Sequence, residues 1–169
     1  LKYMSAKSED ILTNANYLDK GIVVDKLLQD LIVDKTIPYS QILNCDKNAL
    51  LIAARIMGYG KDYQFEYRGK TEIVDLSESP TKELSDVFKN ATENKFEYTL
   101  PASQRKVTFK LLTHADEQLI DQELRSLKKI SPDTVSDLST RMKYIITSID
   151  DNFDKAVVRN FVDNGLLAM

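Results

Sequence analysis

The apolar positions of this chain change period twice, from helical spacing to strand alternation and back, and that change predicts three regions. Across 8–57, Val24, Leu27, Leu28, Leu31 and Ile32 recur at intervals of three and four. They form one apolar stripe opposite Asp25, Lys26, Gln29 and Asp30, which predicts an amphipathic helix. Pro38 interrupts the pattern, Tyr39 to Leu43 suggests a short helical turn, and Asp46 is the expected N-cap of the next helix. That helix, 47–57, is apolar around nearly its whole circumference and is therefore expected at the centre of the core. Gly58 suits its C′ position, and Gly60 a second sharp turn.

The middle region alternates with a period of two. Tyr63, Phe65 and Tyr67 share one face, Arg68-Gly69-Lys70 forms a tight connection, and 71–76 returns as the second strand of a hairpin. Residues 77–94 are polar around Leu84, Val87 and Phe88 and predict a loop with a short helix. A second hairpin follows, with Phe96, Tyr98 and Leu100 before the turn at 101–104 and Val107, Phe109 and Leu111 after it. The two hairpins are expected to combine into one small antiparallel sheet.

Helical spacing then resumes. Thr113 and Asp116 have capping spacing ahead of Leu119, Ile120, Leu124 and Leu127. Ser131-Pro132-Asp133 marks a restart, and Val135, Leu138, Met142, Ile145, Ile146 and Ile149 predict a second helix. Residues 150–152 separate it from a third carrying Phe153, Ala156, Val157 and Phe161. The expected fold class is α+β, with N-terminal helices, two hairpins and a C-terminal three-helix unit. The expected boundaries are a docking segment at 1–20, helices and hairpins at 21–112, and a helical unit at 113–169 that joins 21–112 in one compact domain.

Composition bounds the function. The 169 residues are 43% hydrophobic and 29% charged, with 5 Gly and 4 Pro, which suits a folded chain with a real core. A net charge of −3 opposes broad attraction to nucleic acid or anionic membrane. The best local basic cluster, Arg105, Lys106 and Lys110, is diluted by Glu93 and Glu97 and reads as a solvated strand face. Cys45 is the single cysteine, so no intrachain disulfide can form; a small buried apolar side chain is favoured over a thiol activated at a helix N-terminus. No apolar run approaches the about 18 residues of a membrane span, and no signal or lipidation pattern opens the chain. Leu at the first position and NGLLAM at the last suggest a portion of a longer chain.

Candidate chemistry is sparse. His114 stands beside Asp116 and Glu117, but one histidine without further ligands makes a weak metal or acid–base site, and an exposed capping segment is the favoured reading. Gly58-Tyr59-Gly60 lacks the pattern of a phosphate loop and follows a helix rather than a strand. Tyr63, Phe65 and Tyr67, with Arg105 and Lys110, could stack single-stranded nucleic acid on one sheet surface; a core or protein-interface role outweighs this. No cofactor, metal site or enzymatic machinery is expected.

Three stretches taken together carry a resemblance: SAKSEDILTNANYLDKGIVVDKLL, SQILNCDKNALLIAARIMGYGKDY and KFEYTLPASQRKVTFKLLTHADEQLI. In this order, through residues 1–125, they are similar to the T4-type bacteriophage baseplate protein family of contractile-tailed phages. The resemblance implies a structural or assembly role in the tail baseplate hub, with other baseplate and tail proteins as partners. It implies residence in the virion after assembly in the host cytoplasm, and it brings no catalytic residues. Zinc-ribbon-like Cys-x-x-Cys pairs found in the family have no counterpart at 65–71, so zinc is not expected here. A transient hub chaperone is the alternative within the same class. Partner contacts are expected at Tyr3, Ile11, Leu12 and Tyr17 of the N-terminal segment, and at Phe153 and Phe161 of the final helix.

Overall fold

The computed structural model describes residues 1–78, 83–131 and 136–166. Among the described residues the fold is α+β, with eight helices and two small antiparallel sheets. The chain divides into two compact units, Leu1–Lys82 and Glu83–Met169. The division therefore falls inside the stretch expected to hold both hairpins, and each hairpin belongs to a different unit.

The first unit begins with α1 (Ala6–Leu12), α2 (Ala15–Asp19) and α3 (Val23–Leu31). The α3 stripe buries Leu27, Leu28 and Leu31 as its spacing predicts. Leu27 and Leu31 pack with Ala54, and Leu1, Met4, Ile11 and Leu12 close over them. The N-terminal segment is thus part of this unit's own core rather than a free docking arm. Polar bonds fix it there: the Lys2 amide donates to the Leu31 carbonyl at 2.9 Å, and the buried Ser8 hydroxyl donates to Asp30 at 2.9 Å.

A short 3-10 turn, Tyr39–Gln41, follows Pro38 and leads into α4 (Asn44–Tyr59). Asp25 of α3 gathers the turn and the helix, accepting from the Tyr39 hydroxyl and the Lys47 ammonium at 2.7 Å each. Helix α4 starts two residues before the expected cap, so Asp46 sits in its first turn, where its charge favours the positive end of the helix dipole. At the other end Gly60, with φ of 83°, is the cap. Gly58 is still helical, and its value is space: a Cβ there would lie 2.7 Å from the Met4 sulfur.

Strands β1 (Asp62–Tyr67) and β2 (Lys70–Asp75) pair through a two-residue Arg68-Gly69 turn. Both turn residues have positive φ, 50° and 74°, which matches the twist of a tight hairpin. Among the described residues no third strand joins this pair.

In the second unit α5 (Asp86–Lys89) precedes β3 (Phe96–Thr99) and β4 (Lys106–Phe109). The sheet is completed by β5 (Ile146–Ile149), giving the order β3-β4-β5. The hairpins therefore do not share a sheet, and the helix expected to run through Ile149 ends earlier. Helix α7 (Asp137–Ile145) passes directly into β5 because Ile146, Thr147 and Ile149 are β-branched and suit a strand beside β4. Pro132, Asp133 and Val135, which carried the expected restart, lie outside the described residues.

Helix α6 (His114–Ile130) starts at the expected box: the Thr113 amide and hydroxyl both donate to Asp116, at 3.0 and 2.8 Å. Helix α8 (Lys155–Asn164) is capped by Asp154, which accepts from the Ala156 amide at 2.8 Å. Val107, Ile146, Ile149, Val158, Phe161 and Val162 form this unit's core between sheet and helices.

Candidate protein-interaction surface

Helix α4 does not occupy the centre of a core. Only Ala54 is buried, while Leu51 and Ile52 are each more than a third exposed. The small first unit offers one apolar surface for α4 to cover, so a helix apolar on all sides keeps its other side in solvent. Ile52, Arg55 and Tyr59 share that outer side through their spacing of three and four.

Arg55 links this side to the hairpin. Its guanidinium lies 5.1 Å from the Tyr59 ring centre and 5.9 Å from that of Tyr63, and it donates to the Gly60 carbonyl at 3.0 Å. The Tyr63 and Phe65 rings stack at 5.9 Å. In the hairpin register Tyr63 faces Val74, Phe65 faces Glu72 and Tyr67 faces Lys70, so aromatic residues dominate one face. The opposite face carries Ile73, 66% exposed, opposite Gln64. Phe65 alone on β1 is half-buried; Tyr63, Tyr67, Ile73 and Val74 are exposed.

The expected contact residues separate by environment. Tyr3 is 74% exposed, whereas Ile11 and Leu12 pack on the core of the first unit and Tyr17 is half-buried in α2. Phe153 is 57% exposed just ahead of α8. Phe161 is a core residue, 6% exposed, with the Arg105 guanidinium 4.8 Å from its ring centre. Phe161 is therefore corrected from surface to core, and Ile11 and Leu12 likewise face inward. Tyr3 and Phe153 remain accessible.

The expected basic surface also separates. Tyr63, Phe65 and Tyr67 belong to the first unit, while Arg105 and Lys110 belong to the second. Arg105 pairs with Asp150 at 2.8 Å, Lys106 with Glu97 at 3.0 Å and Lys110 with Asp116 at 2.6 Å. Their charge is largely spent within the protein. Burial works to raise the Asp116 pKa, but bonds from Lys110 and Thr113 outweigh it and hold the carboxyl below its ordinary value.

His114 is buried rather than exposed, and Glu117 beside it binds Arg141 at 2.6 Å. Among the described residues, no group of three or more His, Cys, Asp or Glu side chains could hold a metal ion. Cys45 is exposed rather than buried. Partial desolvation and the adjacent Asp46 carboxylate raise its thiol pKa, the opposite of activation. Among the described residues, no helix is long and apolar enough to cross a membrane.

Sequence reasoning missed Leu51, Ile52, Ile73 and Val74 as candidate contacts. The available signal was the absence of a polar side on 47–57, which exceeds what one buried face can use in so small a unit. No protein-family model matches the chain, and no curated protein or solved structure matches it.

Proposed function

We propose that this chain is a non-enzymatic structural component of a phage tail baseplate hub and acts by binding other tail proteins. The observation that carries the reading is the apolar surface of α4 and the β1–β2 hairpin, bare within its own unit. Large apolar residues grouped this way on a folded chain are characteristic of protein interfaces, particularly with tyrosines and an arginine among them. The resemblance of the three sequence stretches to T4-type baseplate proteins supplies the setting: a virion tail assembled in the host cytoplasm.

Quantitative mass spectrometry of purified tails tests the reading, beside affinity capture from infected cells. A fixed copy number in tails supports a retained subunit. Capture of hub proteins only from infected cells supports the alternative of an assembly chaperone, and absence from both refutes the baseplate reading.

A second reading draws on one feature, the exposed Tyr63 and Tyr67 rings with Arg55 and Arg68 stacked near them. Such a face could stack single-stranded bases. Binding of single-stranded DNA that weakens steeply with salt would favour it; the chain's net negative charge counts against it.

A further inference from the structure

The second unit holds a cavity of about 400 Å³ lined by apolar side chains, by cations and by one carboxylate, Asp116. Ile146 of β5 and Val158 of α8 form part of its lining and also belong to the buried core. Lys110, Lys143, Lys155 and Arg159 bring four cations to the same cavity. Three are already matched: Lys110 by Asp116 at 2.6 Å, Lys143 by Asp163 at 2.8 Å and Arg159 by Glu123 at 2.9 Å. Lys155 has no ion pair among the described residues. The Lys95 ammonium, outside the lining, lies 5.6 Å from the ring centre of Phe153, which lines the cavity. The charge left over calls for a carboxylate, not for a polyanion.

The walls indicate the size of what carries that carboxylate. Leu119 and Phe153 line the cavity yet remain 51% and 57% exposed. A small free anion would leave both bare, whereas a peptide segment can place one acidic side chain inside and cover both with its neighbours. Tyr144, whose hydroxyl donates to Glu123 at 2.9 Å, holds a rigid aromatic wall beside the Arg159 pair.

We propose that this cavity seats one Asp or Glu side chain of a protein partner, with its carboxylate on Lys155 and flanking apolar residues over Leu119 and Phe153. The assignment rests on reading the chain as a protein-binding subunit, and it names a partner feature: an acidic residue set among apolar ones.

The test is an NMR titration of the isotopically labelled full chain with acetyl-Leu-Glu-Phe-amide. Parallel titrations use the Gln analogue, inorganic phosphate and the exposed-site variant Lys155→Gln. The expected result is saturable shifts at the Thr147, Lys155 and Val158 amides with the Glu peptide, weakened about tenfold or more by the Gln analogue and by Lys155→Gln. Equal binding of the Gln analogue, equal binding by phosphate alone, or no shift at these amides would each overturn the assignment. Tail incorporation is measured separately, so failure of the titration with the protein still present in tails rejects the cavity and leaves the hub reading intact.

Discussion

The two units use similar ingredients, helices beside an antiparallel hairpin, and reach opposite surfaces. In the second, a third strand and the C-terminal helices cover the hairpin, and Val107, Ile146, Ile149 and Phe161 vanish into one core. In the first, among the described residues, the hairpin stays two-stranded and α4, with apolar residues around most of its circumference, buries one alanine. The difference shows that apolar content alone does not place a residue inside. What decides is whether the unit supplies a second surface to cover it, and in the first unit that surface is lacking on the outer side of α4.

The contrast is broken most directly by truncating one residue on each side of it. Phe161→Ala removes a core ring and its contact with Arg105, and should cost about 3–5 kcal/mol of stability by chemical denaturation. Ile73→Ala, on the open hairpin, should change stability by no more than about 0.5 kcal/mol. Similar losses at both positions would mean that the hairpin is covered within the protein after all.

Polar ties sharpen the comparison. Asp25→Ala removes the acceptor shared by the Tyr39 hydroxyl and the Lys47 ammonium, and should destabilise the first unit by about 1–3 kcal/mol in the same assay. Burial and the Asp25 carboxylate raise the Tyr39 phenol pKa, so this variant should also bring the Tyr39 titration back toward its ordinary range in an ultraviolet pH scan.

Acid should act on the first unit through depressed carboxylates. Asp75 is held at about 2, against an ordinary 3.8, by the Lys61 ammonium first and then by Ser77. Asp30 is lowered by the Ser8 hydroxyl first and then by Lys2. A carboxyl whose folded pKa lies below its unfolded one stabilises the fold fully above the unfolded value and loses that contribution as pH falls through the folded one. For Asp75 the window runs from 3.8 down to about 2. Asp75→Asn should therefore flatten the stability–pH curve in that window, lower stability slightly above it and leave the slope at neutral pH unchanged, a small effect because the pair is exposed.

Much of the fold was legible because its signals were local. The α3 stripe, the Thr113 box before α6 and the Arg68-Gly69 turn each follow from a few adjacent residues. The turn from α7 into β5 was hidden, since Ile145, Ile146 and Ile149 satisfy helical spacing as well as a strand beside β4. Pairing of the hairpins was hidden for the same reason: register within a hairpin is local, while its place in a sheet depends on distant chain. For the interaction surface, the sequence marked α4 as unusual, but burial of its circumference depended on how much apolar surface the rest of the unit could offer. Phe161 and Phe153 could not be told apart by type; one falls on the inner side of α8 and the other precedes the helix.

The central claim is that another tail protein covers the outer side of α4 and the open hairpin. The direct measurement is quantitative mass spectrometry of tails assembled with the wild-type chain or with Ile52→Glu/Val74→Glu, Val74 sharing the Tyr63 face of the hairpin, after circular dichroism has shown the variant folded. The account predicts a fixed copy number for the wild type and at least a tenfold loss of the variant from tails. Incorporation of the folded variant at the wild-type level would contradict it.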